Sequence, residues 1–309
     1  VDDATVEITF SEQAAYFESA MGLQPVVEPA FFDKLQSEES GTGAFSVKEW
    51  IPGDHLTMVK NPNYWNAGRP LVDEAEVRIF ADEGALVSAL EGGAIDIALS
   101  FPPREYERLQ DTFSFLQGQP GANFYYLGLS AKVPPFDNKT VRQAIAHAID
   151  RDFVVKTVFL GYAAAATGPV PKNDPQFYTA DVAQYSFDTA KANALLDEAG
   201  WKKGSDGTRE KGGIKMNVLF QTSVNALRQK EQALVKDAWA AIGVDTELKN
   251  VSATVFFSTD AANNDTIGKF FNDVQMYTNN YSQPDPTDYL CDFTTSQISA
   301  KANGWRSPN

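Results

Sequence analysis

Cysteine occurs once in the 309 residues, at Cys291, and histidine only twice, at His55 and His147. A single cysteine closes no internal disulfide, and so few soft donors build no zinc, nickel or haem centre. No metal and no cofactor are therefore expected. Cations are also scarce: 26 Lys and Arg stand against 41 Asp and Glu, a formal net charge of −15. Binding to a phosphate backbone needs clustered Lys and Arg, and docking on anionic lipid needs a polybasic segment. Neither is present, so no nucleic-acid partner is expected. No run of 18 apolar residues occurs, so no segment is long enough to cross a bilayer as a helix. Val1 opens no secretory leader pattern. Gly-x-Ser-x-Gly and Gly-x-x-x-x-Gly-Lys-Ser/Thr are both missing.

What is plentiful is core-forming material. Hydrophobic residues make up 43% and aromatics 12%, enough to exclude a disordered chain, and the length suggests two domains. Thr5–Phe10 alternates with period two and reads as a strand, and residues 16–23 read as a helix. The turn Ile51-Pro52-Gly53-Asp54 joins a strand over 44–50 to one over 56–59 as a hairpin. A strand over 75–80, a helix over 83–91 stopped by Gly92-Gly93, and a buried strand over 95–99 follow. Phe124–Leu129 is a strand near a change of domain. Val141, Ala144, Ile145, Ala148 and Ile149 mark one face of a helix. Asp150 and Asp188 each cap a further helix, the first running to about Phe159 and ended by Gly161. A strand over 215–221, a helix over 225–242 and a strand over 244–249 form a unit with a parallel crossover. Residues 258–268 read as a loop, and 273–278 as the last strand. The class is α/β with mixed sheets.

No residue is assigned a catalytic role. His147 has no nucleophile near it in sequence and reads as a packing histidine, His55 as a solvent-facing hairpin residue, and Cys291 as a small buried hydrophobe. Aromatic side chains are the better candidates. Tyr125, Tyr126, Tyr277 and Tyr281 lie on the two segments expected to pass between domains, where a cleft is a preferred ligand site. Stacking on a ligand and packing of a hinge are both open to them.

Several motifs resemble one family. Gly41-Thr42-Gly43-Ala44-Phe45, Trp50-x-Pro52-Gly53 and Asn61-Pro62-Asn63-Tyr64-Trp65 are followed by Ala89-Leu90-Glu91-Gly92-Gly93-Ala94-Ile95-Asp96. The longest match is Pro135-Phe136-Asp137-Asn138-Lys139-Thr140-Val141-Arg142-Gln143-Ala144-Ile145, continuing through Ala148-Ile149-Asp150-Arg151. Leu195–Trp201, Gly243-Val244 and Pro284-Asp285-Pro286 complete the series. In this order the motifs are similar to the extracellular solute-binding proteins of family 5, the dipeptide and oligopeptide receptors of ABC importers.

The resemblance implies a two-domain periplasmic-binding-protein-like fold (type II, cluster C-like) and a chain that lacks both ends, leaving the first domain incomplete. The expected division is a partial first domain over 1–123, a second, middle domain over 124–270, and a return into the first domain over 271–309. It implies a monomeric receptor, periplasmic or at the cell surface, with a membrane-tethered lipoprotein form allowed. Such a receptor closes its domains on a solute and delivers it to a membrane permease. A peptide is the expected solute, with an oligosaccharide or opine-type solute as the alternative. In peptide-binding members an aspartate ahead of a Pro receives the α-ammonium; an ungapped match puts Ser282 there, and Asp285 stands three residues on. Ser282 and Asp285 therefore join the four tyrosines as expected ligand-binding residues. From other classes, a hydrolase using a carboxylate pair would consume its substrate, and a folding helper would bind unfolded chains.

Overall fold

The computed structural model describes the chain apart from residues 1, 3–4, 12, 14–16, 23, 36–37, 100, 117–122, 173, 261, 281–285, 287–289 and 291–309. Cys291 lies outside the described residues. Two compact units emerge, Val1–Phe113 and Ser114–Asn309.

In the first unit, α1 (Phe17–Met21) and a 3-10 turn (Pro29–Lys34) precede a sheet of β1 (Phe45–Ile51), β2 (His55–Lys60) and β3 (Glu74–Arg78). The strands pair antiparallel in the order β1-β2-β3. The expected hairpin forms because Gly53, at φ +82°, takes the left-handed conformation its tight turn requires. Helix α2 (Glu83–Glu91) begins at Asp82, whose carboxylate accepts from the Ala85 N–H. A short α3 (Tyr106–Leu109) follows another 3-10 turn (Pro103–Glu105). Arg108 fastens α3 to α2 by reaching both oxygens of Glu91, at 2.6 and 3.0 Å. Two expected strands do not form. Residues 5–10 make no ladder and leave Val6, Ile8 and Phe10 exposed; 95–99 likewise leaves Ile97 and Leu99 exposed. Alternation marks a strand only where a neighbouring strand takes its backbone groups. His55 is half-buried, not solvent-facing: it reaches Asp54 at 2.8 Å, and that hydrogen bond holds its pKa above the usual imidazole value.

The second unit is organised by a four-stranded sheet, β4 (Asn123–Leu129), β10 (Val274–Asn280), β8 (Asn217–Ser223) and β9 (Asp245–Val251), in that spatial order. β10 runs antiparallel to β4 and parallel to β8, and β8 runs parallel to β9. The class is α/β with a mixed sheet, as expected. Helices α4 (Lys139–His147), α5 (Arg151–Val158), α6 (Thr189–Glu198) and α7 (Ala226–Ala241) start at Asn138, Asp150, Asp188 and Asn225, each accepting a first-turn N–H. The core joins Val141, Ala144 and Ile145 of α4, Leu196 of α6 and Val235 and Trp239 of α7 to Val218 and Phe220 of β8 and Val274 and Met276 of β10. β10 therefore extends the second unit's sheet through Asn280. His147 is buried as a packing residue, with Nδ1 2.7 Å from the Ser186 carbonyl.

A small sheet unforeseen in the sequence, β5 (Lys202–Lys203), β6 (Arg209–Lys211) and β7 (Ile214–Lys215), closes one corner. Its centre is Arg209, 1% exposed. Nε donates to the Ile242 carbonyl at 2.6 Å, Nη1 to Asp197 Oδ1 at 2.8 Å and to the Trp201 carbonyl, and Nη2 to Asn193 Oδ1 at 2.7 Å. One guanidinium thus ties the ends of α6 and α7 to β6. Gly243 makes room for it: its φ is +86°, and a Cβ there would lie 2.8 Å from the Gly207 carbonyl oxygen.

Arg209→Lys keeps the charge and loses the fork, leaving buried carbonyls unpaired, so a loss of about 2–4 kcal/mol is expected in denaturant unfolding. Asp197→Asn, at a half-exposed partner, is expected to cost under about 1 kcal/mol. Equal costs for the two would show that the corner is held by backbone pairing and not by the guanidinium.

Candidate functional site

The three parallel strands β8, β9 and β10 finish on one side of the sheet, at Ser223, Val251 and Asn280, where β4 begins at Asn123. Two residues separate the end of β8 from the start of helix α7, and α8 (Ala253–Phe256) starts just after β9. In open α/β sheets the carboxyl ends of the strands are where ligands are received.

Register decides which side chains meet there. Tyr126 pairs directly with Tyr277, ring centroids 4.8 Å apart and tilted by 60°. Such a pair contributes about 0.5–1.5 kcal/mol beyond its burial. Asn279, one step along the same face, points Nδ2 at the Tyr126 hydroxyl at 3.5 Å. Tyr125 occupies the opposite face, where it meets Phe159 edge-on at 5.1 Å. Adjacent residues of a strand face opposite ways, so the structure brings Tyr126 and Tyr277 together and sets Tyr125 apart from them. Tyr281, Ser282 and Asp285 lie outside the described residues.

The aromatic wall extends beyond the residues singled out in the sequence. Tyr277 meets Phe256 of α8 at 6.2 Å, Phe256 meets Phe257 at 5.0 Å, and the guanidinium of Arg228 lies 5.7 Å from the Phe257 ring centre. Arg228 also donates through Nη1 to Ser223 Oγ at the end of β8. Its Nε is closed off from water and makes no hydrogen bond among the described residues. One turn on, Glu231 has a buried Oε2 in the same condition, and desolvation pushes its carboxyl up to about 7 against a smaller opposing pull from Arg228. The sequence carried a signal for both. Arg228 and Glu231 precede Val235 and Trp239 at the spacing of the buried stripe of α7, where a charged residue is out of place unless it has work at the strand ends.

The loop after α8 is held onto the sheet by a buried amide. Gln221, with no exposed surface, donates through Nε2 to the Asp265 carbonyl at 3.1 Å and accepts from Asn272 Nδ2. Lys249 pairs with the carboxylate of the same Asp265. The face that carries Tyr277 is therefore covered by a pinned segment and not an open surface. Among the described residues no group of three or more His, Cys, Asp or Glu is placed to hold a metal ion, and no helix is long and apolar enough to cross a membrane.

Because Glu231 is neutral more easily folded than unfolded, the folded chain binds the extra proton between the two pKa values. Stability is then complete below about 4.5 and is lost as pH rises through about 7. Glu231→Gln removes that loss. Its stability relative to the native chain is expected to rise by up to about 3 kcal/mol between pH 4.5 and 8, read from urea unfolding at each pH. A constant difference across that range would place the carboxyl in its ordinary range.

Comparison with known proteins agrees with this architecture. The family model described as bacterial extracellular solute-binding proteins, family 5 Middle, matches residues 1–301. The glutathione-binding protein GsiB of Pectobacterium atrosepticum is 27% identical over 260 residues, covering 82% of this chain and 48% of its own. The oligopeptide-binding protein AppA of Bacillus subtilis, solved with a nonapeptide, superposes with a TM-score of 0.70 at 25% identity over 82% of this chain and 50% of its own. NikZ of Campylobacter jejuni, solved with Ni(L-His), shares the fold at a TM-score of 0.76, 20% identity and 91% coverage of this chain against 56% of its own. The chain spans about half the length of the curated relatives it matches. With the match running through nearly all its residues, the chain belongs to the bacterial extracellular solute-binding proteins of family 5.

Proposed function

We propose that the chain belongs to a receptor that captures a short peptide outside the cytoplasm and delivers it to an ABC importer. Support comes from the family, from relatives named for glutathione and oligopeptides, and from the side chains at the strand ends. The observation that carries it is the exposed Phe257 beside Arg228 at the strand ends, backed by the buried Phe256 and, behind it, by Tyr277 and Tyr126. Aromatic faces take a peptide's apolar groups with little demand on sequence. Arg228, whose desolvated Nε makes no hydrogen bond among the described residues, offers a partner for a carboxylate. Capture is by closure of two domains on the solute and involves no covalent chemistry. In this reading Tyr281, Ser282 and Asp285 continue the site beyond β10, Tyr125 supports it from the other face of β4, and the receptor works as a periplasmic or surface-tethered monomer beside its permease.

Identification of the molecules released on denaturing natively purified full-length protein tests the substrate. Short peptides are expected. A defined saccharide or opine without peptides would replace the peptide reading by the alternative solute class, and consumption of the solute would replace both by an enzyme. Arg228→Ala is expected to weaken binding of free-acid peptides at least ten-fold, about 1.4 kcal/mol or more, and to leave their C-terminal amides little affected. Equal losses for acid and amide would remove Arg228 from carboxylate recognition. Ser282→Asp is expected to strengthen binding of free-amino peptides, because a desolvated ammonium gains from a full counter-charge. Unchanged or weaker calorimetric affinity would move the ammonium site elsewhere.

A further inference from the structure

Arg228 and Glu231 stand three residues apart on α7, a spacing at which side chains on a helix meet and can pair. They do not pair here. Arg228 turns to Ser223 and the Phe257 ring, and both its Nε and the Oε2 of Glu231 are buried without a hydrogen bond among the described residues. Two complementary groups left unmatched at that spacing describe one of two arrangements, and the charge on Glu231 selects between them. A neutral carboxyl makes a weak claim on a guanidinium; an ionised one makes a charge-assisted, bidentate claim.

We propose that Glu231 gates Arg228: protonated, it leaves the guanidinium at the Phe257 face for an anionic solute, and ionised, it draws the guanidinium back onto itself. This rests on the reading of Arg228 as the carboxylate partner. It adds a coupling between solute capture and proton uptake, since a bound anion disfavours ionisation of Glu231 just as ionised Glu231 disfavours the anion.

Little else in the surroundings competes for the role. Strands β8 and β10 bring no charged residue to α7. The charged residues of β9, Asp245, Glu247 and Lys249, alternate onto the face away from the Phe220–Trp239 contact that seats α7. On α5, which packs against α7, Arg151 is turned to the Tyr185 carbonyl while Asp152 and Lys156 are exposed. On α7 itself Lys230 donates to the Thr157 carbonyl. Desolvation raises the Glu231 carboxyl, and among the described residues Arg228 is the one charge that acts on it.

The test uses full-length protein and two readouts. Side-chain NMR of Glu231 (13Cδ) and Arg228 (15Nε) without solute is expected to show a common titration midpoint near 7. Calorimetry with trialanine is expected to show affinity falling from pH 6 to pH 8 about ten-fold more in the native protein than in Glu231→Gln, with an extra proton taken up on binding in the native protein. The peptide's own amine titrates equally in both, so it cancels in the comparison. A Glu231 midpoint in the ordinary carboxylate range, or an Arg228 resonance that ignores it, overturns the gate whatever the solute. Parallel pH profiles in the native and Gln variants also overturn it. If Arg228→Ala binds trialanine as the native protein does while the NMR coupling holds, the carboxylate reading fails and the Arg228–Glu231 exchange stands apart from it.

Discussion

Strand β10 is the constraint on which the second unit depends. It comes last among the described strands, yet it lies inside the sheet, antiparallel to β4 and parallel to β8. Its ladder with β4 closes contacts across more than 150 residues, as between Asn279 and Tyr126, and such closure costs chain entropy that only a well-packed strand repays. The repayment is on one face: Val274 and Met276 are fully buried in the helix-covered core. Period two then puts Tyr277 on the other face whatever its role. The register that buries Met276 against Leu127 also sets Tyr277 against Tyr126. Packing and site are one choice of register, and a slip of one residue would lose both.

Elements with local signals were legible in the sequence. Helices α5 and α6 announce themselves by the capping Asp150 and Asp188, α4 and α7 by their apolar stripes and α2 by its Gly92-Gly93 stop; the structure adds caps at Asp82, Asn138 and Asn225. The β1–β2 hairpin follows from Gly53. The strands over 5–10 and 95–99 failed because a strand is a property of a pair, and alternation says nothing about whether a partner is present. The small sheet around Arg209 was hidden for a related reason. Its strands are two or three residues long, too short for a period, and the arginine that holds them reads in sequence like any surface cation.

The site was legible in part. The tyrosines of β4 and β10 stand out as aromatics on strands, but sequence proximity placed Tyr125 with Tyr126, and the pleat separates them. Phe256 and Phe257 were missed because α8 is a single turn after β9, without stripe or motif. Gln221 was missed because a buried amide leaves no trace until its partners, Asp265 and Asn272, arrive from more than 40 residues away.

The two arginines show how structure separates a scaffold cation from a recognition cation of the same type. Arg209 has Nε, Nη1 and Nη2 all donated to fixed acceptors, four of them carbonyl or amide oxygens and one a carboxylate. Nothing is left to offer a ligand, and reorienting it would strand buried carbonyls. Among the described residues Arg228 has one side-chain bond, to a hydroxyl, a ring beneath it, and a desolvated Nε with no acceptor. The cost of taking that donor out of water has already been met by folding, so an incoming anion keeps more of its hydrogen-bond energy. A half-satisfied cation beside an uncommitted carboxyl is a poor way to stabilise a helix. It is a good way to keep a charge ready at the end of a sheet.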